Sequence, residues 1–385
     1  MENNFKIIAK TQFGLEEILA GELTKIGAKN IQILNRAVSF EGTLETIYAA
    51  NYNCRTALHI LLPLQEFKFR DKQEFYEHIR NFEWDTLFSP DITLAVDTVM
   101  SDTFFTNSHY VSLLCKDAIA DYFRFKTKRR PSVDLDNPDI RIHVHIRGHV
   151  CSVSLDSSGG SLHRRGYRSK QGMAPISEVL AAGLILLSGW NKKTNLFDPM
   201  CGSGTIVTEA AMIAAKIPAG YYRKSFGFEK WNNFDKDLWE KVKTSADENI
   251  CEFDAEIVGS DISESAVSVA AYNLKTAKLH KDVHLTVCDL RDFKFPKEKG
   301  IIITNPPYGE RIKPEDIVSL YKALGDVFKR NCPGYQAWVI SSHFDALKFV
   351  GLKPDKKIKL FNGPLECRFV KFDIFQGSLK DMKCK

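Results

Sequence analysis

The hydrophobic positions of the N-terminal part of the chain follow helical and strand spacings in turn. Residues 14–26 carry apolar side chains every three or four positions, which predicts an amphipathic helix that ends at Gly27. Residues 107–124 have the same spacing and predict a longer helix. Residues 140–146 and 150–155 are two apolar-rich segments around a short turn, which predicts a β-hairpin. We therefore expect this part to form an α+β structure.

From residue 195 onward, the pattern changes to short apolar strands separated by turns and helices. The predicted strands cover residues 195–198, 256–260, 283–287 and 300–304. Strands that alternate with helices are typical of a doubly wound α/β fold with a largely parallel sheet, which binds ligands beyond the carboxyl ends of its strands. Four polar residues fall at these predicted ends, namely Asp198, Asp261, Asp289 and Asn305. The pattern therefore predicts a single ligand site at this edge of the sheet.

A small, polar, Gly-containing segment at residues 156–161 is the best candidate for a linker, so we expect the main domain boundary near residue 160. The 385 residues are enough for two or three domains. A composition of 44% hydrophobic and 26% charged residues excludes a disordered or fibrous chain. The chain shows neither a signal peptide nor an apolar run of membrane-spanning length, and we expect it in the cytoplasm.

The net charge of +5 is mildly basic, which permits a nucleic-acid partner without requiring one. The basic residues concentrate in two clusters. The first follows the long predicted helix and contains Arg124, Lys126, Lys128, Arg129 and Arg130; the second contains Arg164, Arg165 and Arg168. We expect both clusters to contact nucleic-acid phosphates. The alternative for the first cluster is a solvated helix end, where cations complement the helix dipole.

The cysteines and histidines do not predict a metal centre. Nine cysteines form no Cys-x-x-Cys pair, and their odd number does not favour a disulfide framework. His143 and His145 are two residues apart on a predicted strand, hence on one face, but no carboxylate or cysteine accompanies them at ligand spacing. A cross-strand or surface role is favoured, and no metal site is expected.

The turn after the first of the C-terminal strands has the chemistry of a nucleoside site. Gly202 and Gly204 let the backbone approach a ligand, and the following helix offers free amide donors. Asp261 suits the two hydroxyls of a ribose, and Asp289 can accept from the amine of adenine. The turn lacks the lysine of a P-loop, and Val207 replaces the third glycine of a dinucleotide fingerprint. A ligand with ribose and adenine but no phosphate fits, which indicates S-adenosyl-L-methionine (SAM).

The fourth strand end has the chemistry of an acceptor site, and its four residues are the expected catalytic ones: Asn305, Pro306, Pro307 and Tyr308. A residue that precedes proline is held in an extended conformation. The Asn305 side chain and the Pro306 carbonyl can then accept the two hydrogens of an exocyclic amine, and the Tyr308 ring can stack on a base. The alternative is a plain turn that ends a strand.

Together these segments resemble the class I SAM-dependent methyltransferases. More narrowly, the chain is similar to the bacterial THUMP-domain RNA methyltransferases that modify guanine N2 in large-subunit ribosomal RNA. The resemblance covers nearly the whole chain, although Asn-Pro-Pro-Tyr alone is shared with DNA adenine-N6 enzymes. It is carried by residues 162–168, 174–178, 198–205, Asp261, Asp289, 305–311 and 360–368.

The resemblance implies a Rossmann-like methyltransferase domain with a mostly parallel seven-stranded sheet at residues 160–385. It also implies a ferredoxin-like unit at residues 1–55 and a THUMP RNA-binding domain at residues 45–158. Larger members carry a second methyltransferase domain, which we do not expect here. The residues expected to contact SAM are Asp198, Pro199, Gly202, Gly204, Thr205, Asp261, Ile262, Asp289, Leu290 and Asn305.

The resemblance further implies methyl transfer from SAM to guanine N2 in 23S ribosomal RNA, free or within a large-subunit assembly intermediate. Two alternatives are an adenine-N6 methyltransferase acting on DNA or RNA, and a non-catalytic RNA-binding or ribosome-assembly factor. Guanine and adenine both present an exocyclic amine, so the residues alone leave the base open. They leave the oligomeric state open as well.

Overall fold

The computed structural model describes residues 4–168, 176–296, 298–307 and 314–375. The strands are β1 (Phe5–Thr11), β2 (Lys29–Leu34), β3 (Ala37–Gly42), β4 (Ala57–Lys68), β5 (Thr93–Ser101), β6 (Ser132–Val133), β7 (Ile140–Arg147), β8 (Val150–Asp156), β9 (Asn195–Asp198), β10 (Ile257–Asp261), β11 (Val283–Val287), β12 (Gly300–Thr304), β13 (Gln336–Ser341), β14 (Lys356–Asn362) and β15 (Leu365–Asp373). The helices are α1 (Glu16–Lys25), α2 (Leu44–Asn53), α3 (Lys72–Arg80), α4 (Ser108–Thr127), α5 (Glu178–Ser188), α6 (Thr205–Ala214), α7 (Lys236–Asp247), α8 (Glu264–Thr276) and α9 (Pro314–Asn331).

The chain folds into two compact units, each assembled from separate segments. The N-terminal unit takes in the described residues of Met1–Thr11, Leu19–Arg164 and Arg223–Ala246. The C-terminal unit takes in those of Gln12–Ile18, Arg165–Tyr222 and Asp247–Lys385. The change of unit between Arg164 and Arg165 lies close to residue 160, where the polar linker pattern occurs.

The N-terminal unit contains an eight-stranded sheet in the order β2-β3-β1-β4-β8-β7-β5-β6. Neighbouring strands are antiparallel except at β5, which runs parallel to β6 and β7. The predicted hairpin is confirmed, because β7 and β8 pair in antiparallel register. On β7, Ile140, Ile142, Val144 and Ile146 are buried on one face, while the alternate residues, all polar, lie on the other face. One face of this sheet therefore forms the core, and the other carries polar chemistry.

Residues 223–246 pack on the core of the N-terminal unit, whereas the sequence assigned them to the domain at 160–385. The reason is an aromatic cluster: the rings of Tyr48 and Phe228 are 4.3 Å apart, and those of Tyr52 and Trp239 are 5.4 Å apart. Buried aromatic pairs add packing energy to a large apolar area. The Arg223 guanidinium fixes the start of the segment by donating to the carbonyl oxygens of residues 158, 160, 161 and 164.

The C-terminal unit contains a seven-stranded sheet in the order β11-β10-β9-β12-β13-β15-β14. The first five strands are parallel, and β15 runs antiparallel to both β13 and β14. The predicted fold class, a mostly parallel seven-stranded Rossmann-like sheet, is confirmed. Because β11, β10, β9 and β12 are adjacent and parallel, their carboxyl ends meet at one edge. None of the helices in the described ranges is long and apolar enough to cross a membrane.

Candidate active site

A cavity of about 660 Å³ lies at the carboxyl edge of the seven-stranded sheet. Its walls come from the ends of β9, β10, β11 and β12 and from helices α6, α8 and α9. All four polar strand-end residues line this one cavity. The other predicted site residues in its wall are Pro199, Gly202, Thr205, Ile262, Leu290 and Pro307.

Residues 200–203 of the glycine turn between β9 and α6 line the cavity, whereas Gly204 is not part of the lining. Gly202 and Gly204 have φ angles of 53° and 77°, in the left-handed region that favours glycine. A Cβ on Gly204 would lie 2.8 Å from the Cβ of Ala270, so the close approach of α6 and α8 also requires glycine there. A Cβ on Gly202 would meet no atom within 4 Å, so its side faces open space.

Asp261 is held in place by the backbone around it. Its Oδ2 accepts from the Gly202 N–H at 2.9 Å, and its Oδ1 accepts from the Ser263 N–H at 2.9 Å. Each carboxylate oxygen has a further lone pair. The carboxylate is therefore oriented before any ligand binds, and it can still accept from two hydroxyls. Ser263 in turn caps α8 by accepting from the Ala266 N–H.

Asp198 is the most deeply buried acid of the site, with 2% of its surface exposed. Burial raises the pKa of its carboxyl to about 7, and the nearby charge of Asp261 acts in the same direction. Hydrogen bonds from Thr304 Oγ1 at 2.7 Å and from the Met200 N–H at 3.2 Å oppose the rise. This residue therefore links the end of β9 to the end of β12, directly before Asn305.

Asp289 follows β11 and is oriented by its own loop. Its Oδ1 accepts from the Arg291 N–H at 2.8 Å, and its Oδ2 accepts from the Arg291 guanidinium at 2.9 Å. Arg291 also lines the cavity but was absent from the sequence prediction. Its position two residues after an aspartate at a strand end is the signal that could have indicated it.

Asn305 contributes an unused hydrogen-bond acceptor to the cavity. Its Oδ1 is buried and has no hydrogen-bond partner among the described residues. A buried acceptor without a donor costs about 1–3 kcal/mol, so such an atom indicates a ligand that supplies the donor. Pro306 is buried next to it. Tyr308, the fourth predicted catalytic residue, lies outside the described residues.

Helix α9 supplies a wall of the cavity that sequence reasoning missed, through Asp316, Ser319, Leu320 and Ala323. Its helical pattern could be read from the sequence, but its contact with the cavity depends on the position of β13 beside β12. Nothing in the local pattern gives that strand order.

The first basic cluster lies at the end of α4 and is exposed from Arg124 through Arg130. Three of its cations pair with acids nearby: Arg124 with Asp121, Lys126 with Asp85, and Arg129 with Asp91. Exposed pairs of this kind contribute about 0–1 kcal/mol and open readily, so the cluster keeps its capacity to bind phosphate.

The second basic cluster divides between surface and interior. Arg164 is exposed, but Arg165 is 1% exposed and its Nε lies 3.4 Å from Glu209 Oε1. Arg168 pairs with Glu178, which is also buried, and donates to Thr205 Oγ1 at the start of α6. Arg168 therefore holds Thr205, which lines the cavity, whereas Arg165 pairs with an acid on α6 that does not line it. Contact with RNA does not fit their burial, and we exclude them from the RNA surface.

Comparison with known proteins identifies the family. Residues 6–61 match the RlmL ferredoxin-like domain, and residues 69–156 match the THUMP domain. Residues 165–371, more than half of the 385, match the RMKL-like methyltransferase domain. The chain belongs to this family.

Relatives that match over nearly the whole chain support the assignment. A protein of Synechocystis sp. (strain PCC 6803) named as a candidate RNA methyltransferase, slr0064, is 36% identical over 364 residues, which cover 94% of this chain and 95% of that protein. The structure of SMU.472, a candidate methyltransferase complexed with S-adenosylhomocysteine (SAH), is 30% identical with a TM-score of 0.88, covering 98% of this chain and 100% of that chain. A Listeria monocytogenes protein named as a candidate N6-adenine-specific DNA methylase is 29% identical with a TM-score of 0.86, covering 98% of this chain and 97% of that chain.

The RMKL-like methyltransferase domain and the THUMP domain place the chain in a family of SAM-dependent RNA methyltransferases. SAM is the cofactor of such enzymes, and the cavity fits it. The oriented Asp261 and Asp289 carboxylates offer acceptors for hydroxyls and an amine, and the side of Gly202 is open for a ligand.

Proposed function

We propose that this chain methylates an exocyclic amine of RNA, and that the acceptor is guanine N2 of 23S ribosomal RNA. The observation that carries the proposal is the buried Oδ1 of Asn305 in the wall of the cavity, which accepts no hydrogen bond from any residue that the structure describes. An amine that donates a hydrogen to this atom removes the cost of the empty acceptor. The same contact directs the nitrogen toward the cofactor cavity.

Catalysis then rests on positioning. The exocyclic amine of a base is a weak nucleophile because its lone pair is delocalised into the ring. Asn305 Oδ1 and the Pro306 carbonyl would accept its two hydrogens and localise the lone pair on the nitrogen. Holding two reactants in this geometry replaces a bimolecular encounter and supplies a large part of the rate enhancement. We expect Tyr308 to stack on the base, which has to leave its helix or lie in a loop.

The cofactor would be held by the three acids and the glycine turn. Asp261 would accept from the ribose hydroxyls and Asp289 from the adenine amine, with Gly202 and Gly204 at the closest approach of the backbone. SAM, when bound, supplies a methyl group on a positively charged sulfur that is already activated for transfer.

The RNA surface consists in this proposal of Arg124, Lys126, Lys128, Arg129, Arg130 and Arg164, all of which are exposed. Cations of this kind bind phosphates without reading sequence, so the choice of nucleotide would depend on the acceptor site. An RNA substrate in the ribosome or its precursors would put the site of action in the cytoplasm.

The test is the Asn305→Ala variant assayed with unmodified ribosomal RNA. We expect methyl transfer to fall by at least about 100-fold, as when a positioned hydrogen-bonding group is removed from an active site. SAM affinity measured by calorimetry should change far less. Asn305→Asp keeps an acceptor oxygen and should lose less activity than the alanine variant.

The matched control is Asn195→Ala. Asn195 is the first residue of β9, at the end of the strand away from the cavity, and its amide nitrogen donates to Glu256. This variant should transfer methyl groups at the wild-type rate. Full activity of Asn305→Ala would contradict the proposed role of the side chain.

Adenine N6 is the second candidate acceptor, and the name of the Listeria monocytogenes relative favours it. The same two acceptors would hold an adenine amine. Incubating the protein with ribosomal RNA and with DNA, followed by nucleoside analysis, separates the two candidates. Methyl groups on adenine in DNA alone would replace our proposal with this one.

A further inference from the structure

The polar face of the eight-stranded sheet brings together a group that neither the cofactor nor the acceptor site uses. We propose that His59, His143 and Asp156 form a transition-metal site, with Zn²⁺ as the best-suited ion. The Nδ1 of His59 lies 2.8 Å from Asp156 Oδ2, and the Nε2 of His143 lies 3.2 Å from the same oxygen. The three ligand atoms all lie within 4.8 Å of one another.

The register of the sheet explains why these residues meet. Asp156 on β8 is the Cα partner of Leu61 on β4, and His59 lies two residues before Leu61 on the same face. Ser154, two residues before Asp156, is the Cα partner of His143 on β7. Both histidines are therefore diagonal neighbours of Asp156, at a separation that long side chains can bridge.

The chemistry and spacing of the three side chains suit a metal of this class. Zn²⁺ is bound by imidazole nitrogen and carboxylate oxygen at about 2.0–2.2 Å, so its ligand atoms stand about 3–3.5 Å apart. Two imidazoles and one carboxylate leave at least one coordination position for water. The observed separations require small rotations of the side chains and no movement of the strands.

The surroundings give the site both access and support. The Asp156 side chain is fully buried, whereas the His59 and His143 side chains are each 20% exposed, so an ion can approach from the imidazole side. The other oxygen of Asp156, Oδ1, accepts from the Ser158 N–H at 2.8 Å, which fixes the plane of the carboxylate. Hydrogen bonds to the distal atom of a ligand are a regular feature of metal sites.

The sequence concealed this arrangement. It showed His143 and His145 two residues apart without a carboxylate, whereas the third ligand lies on a neighbouring strand and the other histidine 84 residues earlier, at position 59. His145 on the same strand is exposed and remains outside the group, which makes it a natural control.

The experiment is a calorimetric titration of the full chain with Zn²⁺ alone. Exposed thiols such as Cys251 also bind this ion, so they are alkylated first. We expect one Zn²⁺ per wild-type chain, with affinity weakened at least about 100-fold in His59→Ala and in His143→Ala. His145→Ala should bind like the wild type.

A second measurement does not depend on a variant that folds. Co²⁺ added to the alkylated wild-type protein should give the visible absorption of a low-symmetry, nitrogen-ligated ion, and Zn²⁺ should displace it. Absence of both signals in the wild-type protein would overturn the proposal and leave a hydrogen-bonded cluster only. Equal Zn²⁺ affinity in the wild-type protein and in correctly folded His143→Ala would overturn it as well.

Discussion

The two sheets of this chain place their polar chemistry in different ways. In the parallel sheet, each candidate residue ends or directly follows its own short strand, so Asp198, Asp261 and Asn305 were visible as sequence patterns. In the largely antiparallel sheet, His59, His143 and Asp156 meet through register and diagonal contact across three strands. In the parallel sheet the strand ends meet at one edge, so the sequence of each strand is enough to predict which residues meet there. In the antiparallel sheet residues meet on a face, and only the pairing of the strands shows which residues these are.

The prediction with the largest expected effect tests whether Arg165 of the second basic cluster is a buried structural residue, unlike its exposed neighbour Arg164. Glu209→Ala should lower the free energy of unfolding by about 3–5 kcal/mol, because it removes the buried carboxylate that pairs with Arg165 and accepts from the Tyr167 hydroxyl. Urea unfolding measures this change. Arg164→Ala is the matched control, since this exposed neighbour should change stability by less than about 0.5 kcal/mol. Equal losses of stability in the two variants would contradict the assignment of Arg165 to the interior and Arg164 to the surface.

The buried carboxyl of Asp198 should make the stability of the unit with the parallel sheet depend on pH. Its pKa of about 7 in the folded chain exceeds the ordinary value of 3.8, so the folded state binds the proton more tightly than the unfolded state. This contribution to stability is present at low pH and is lost as the pH rises from about 4 to about 7. At about 1.4 kcal/mol per pKa unit, it amounts to at most about 4 kcal/mol.

Asp198→Asn should remove that loss while keeping acceptors for Thr304 and the Met200 N–H. We therefore expect the free energy of unfolding of the variant, minus that of the wild type, to be larger at pH 8 than at pH 5. Urea unfolding at the two pH values measures this difference. A stability difference that stays the same at the two pH values would contradict the assigned pKa.

The smallest expected effect concerns the exposed cluster. Arg129→Glu combined with Arg130→Glu should weaken RNA binding by about tenfold or more and reduce its dependence on salt, since each phosphate contact adds a slope of about 0.7–0.9. Filter binding across a range of salt concentrations measures both quantities. Stability should hardly change. A salt dependence identical to that of the wild type would remove these residues from the RNA surface.

Much of the fold could be predicted from particular residues. The strands at 195–198, 283–287 and 300–304 were placed correctly, and the strand at 256–260 was placed one residue too early. A short apolar run that ends at a polar residue or a turn is a strong signal for a strand. The antiparallel β13–β15 end of the sheet followed only from resemblance to a family. Helix α7 was not expected on the N-terminal core, since its aromatic partners Tyr48 and Tyr52 lie far away in sequence.

The candidate site was predictable where a residue's role depends on its own turn, and not where it depends on a distant partner. Gly202 and Gly204 were recognisable because a left-handed turn requires glycine. Arg165 and Arg168 were assigned to RNA because a basic run ordinarily lies at the surface, and their partners Glu209 and Glu178 belong to different helices. Burial is a property of the assembled core, so composition along the segment does not reveal it.

The most direct test of the central claim is the identity of the methylated nucleoside. Wild-type protein, SAM and unmodified 23S ribosomal RNA are incubated, and the digested nucleosides are separated and weighed by mass spectrometry. The account predicts N2-methylguanosine in amounts that depend on Asn305. Methylation of adenine, or a yield of N2-methylguanosine that is unchanged in Asn305→Ala, would contradict it.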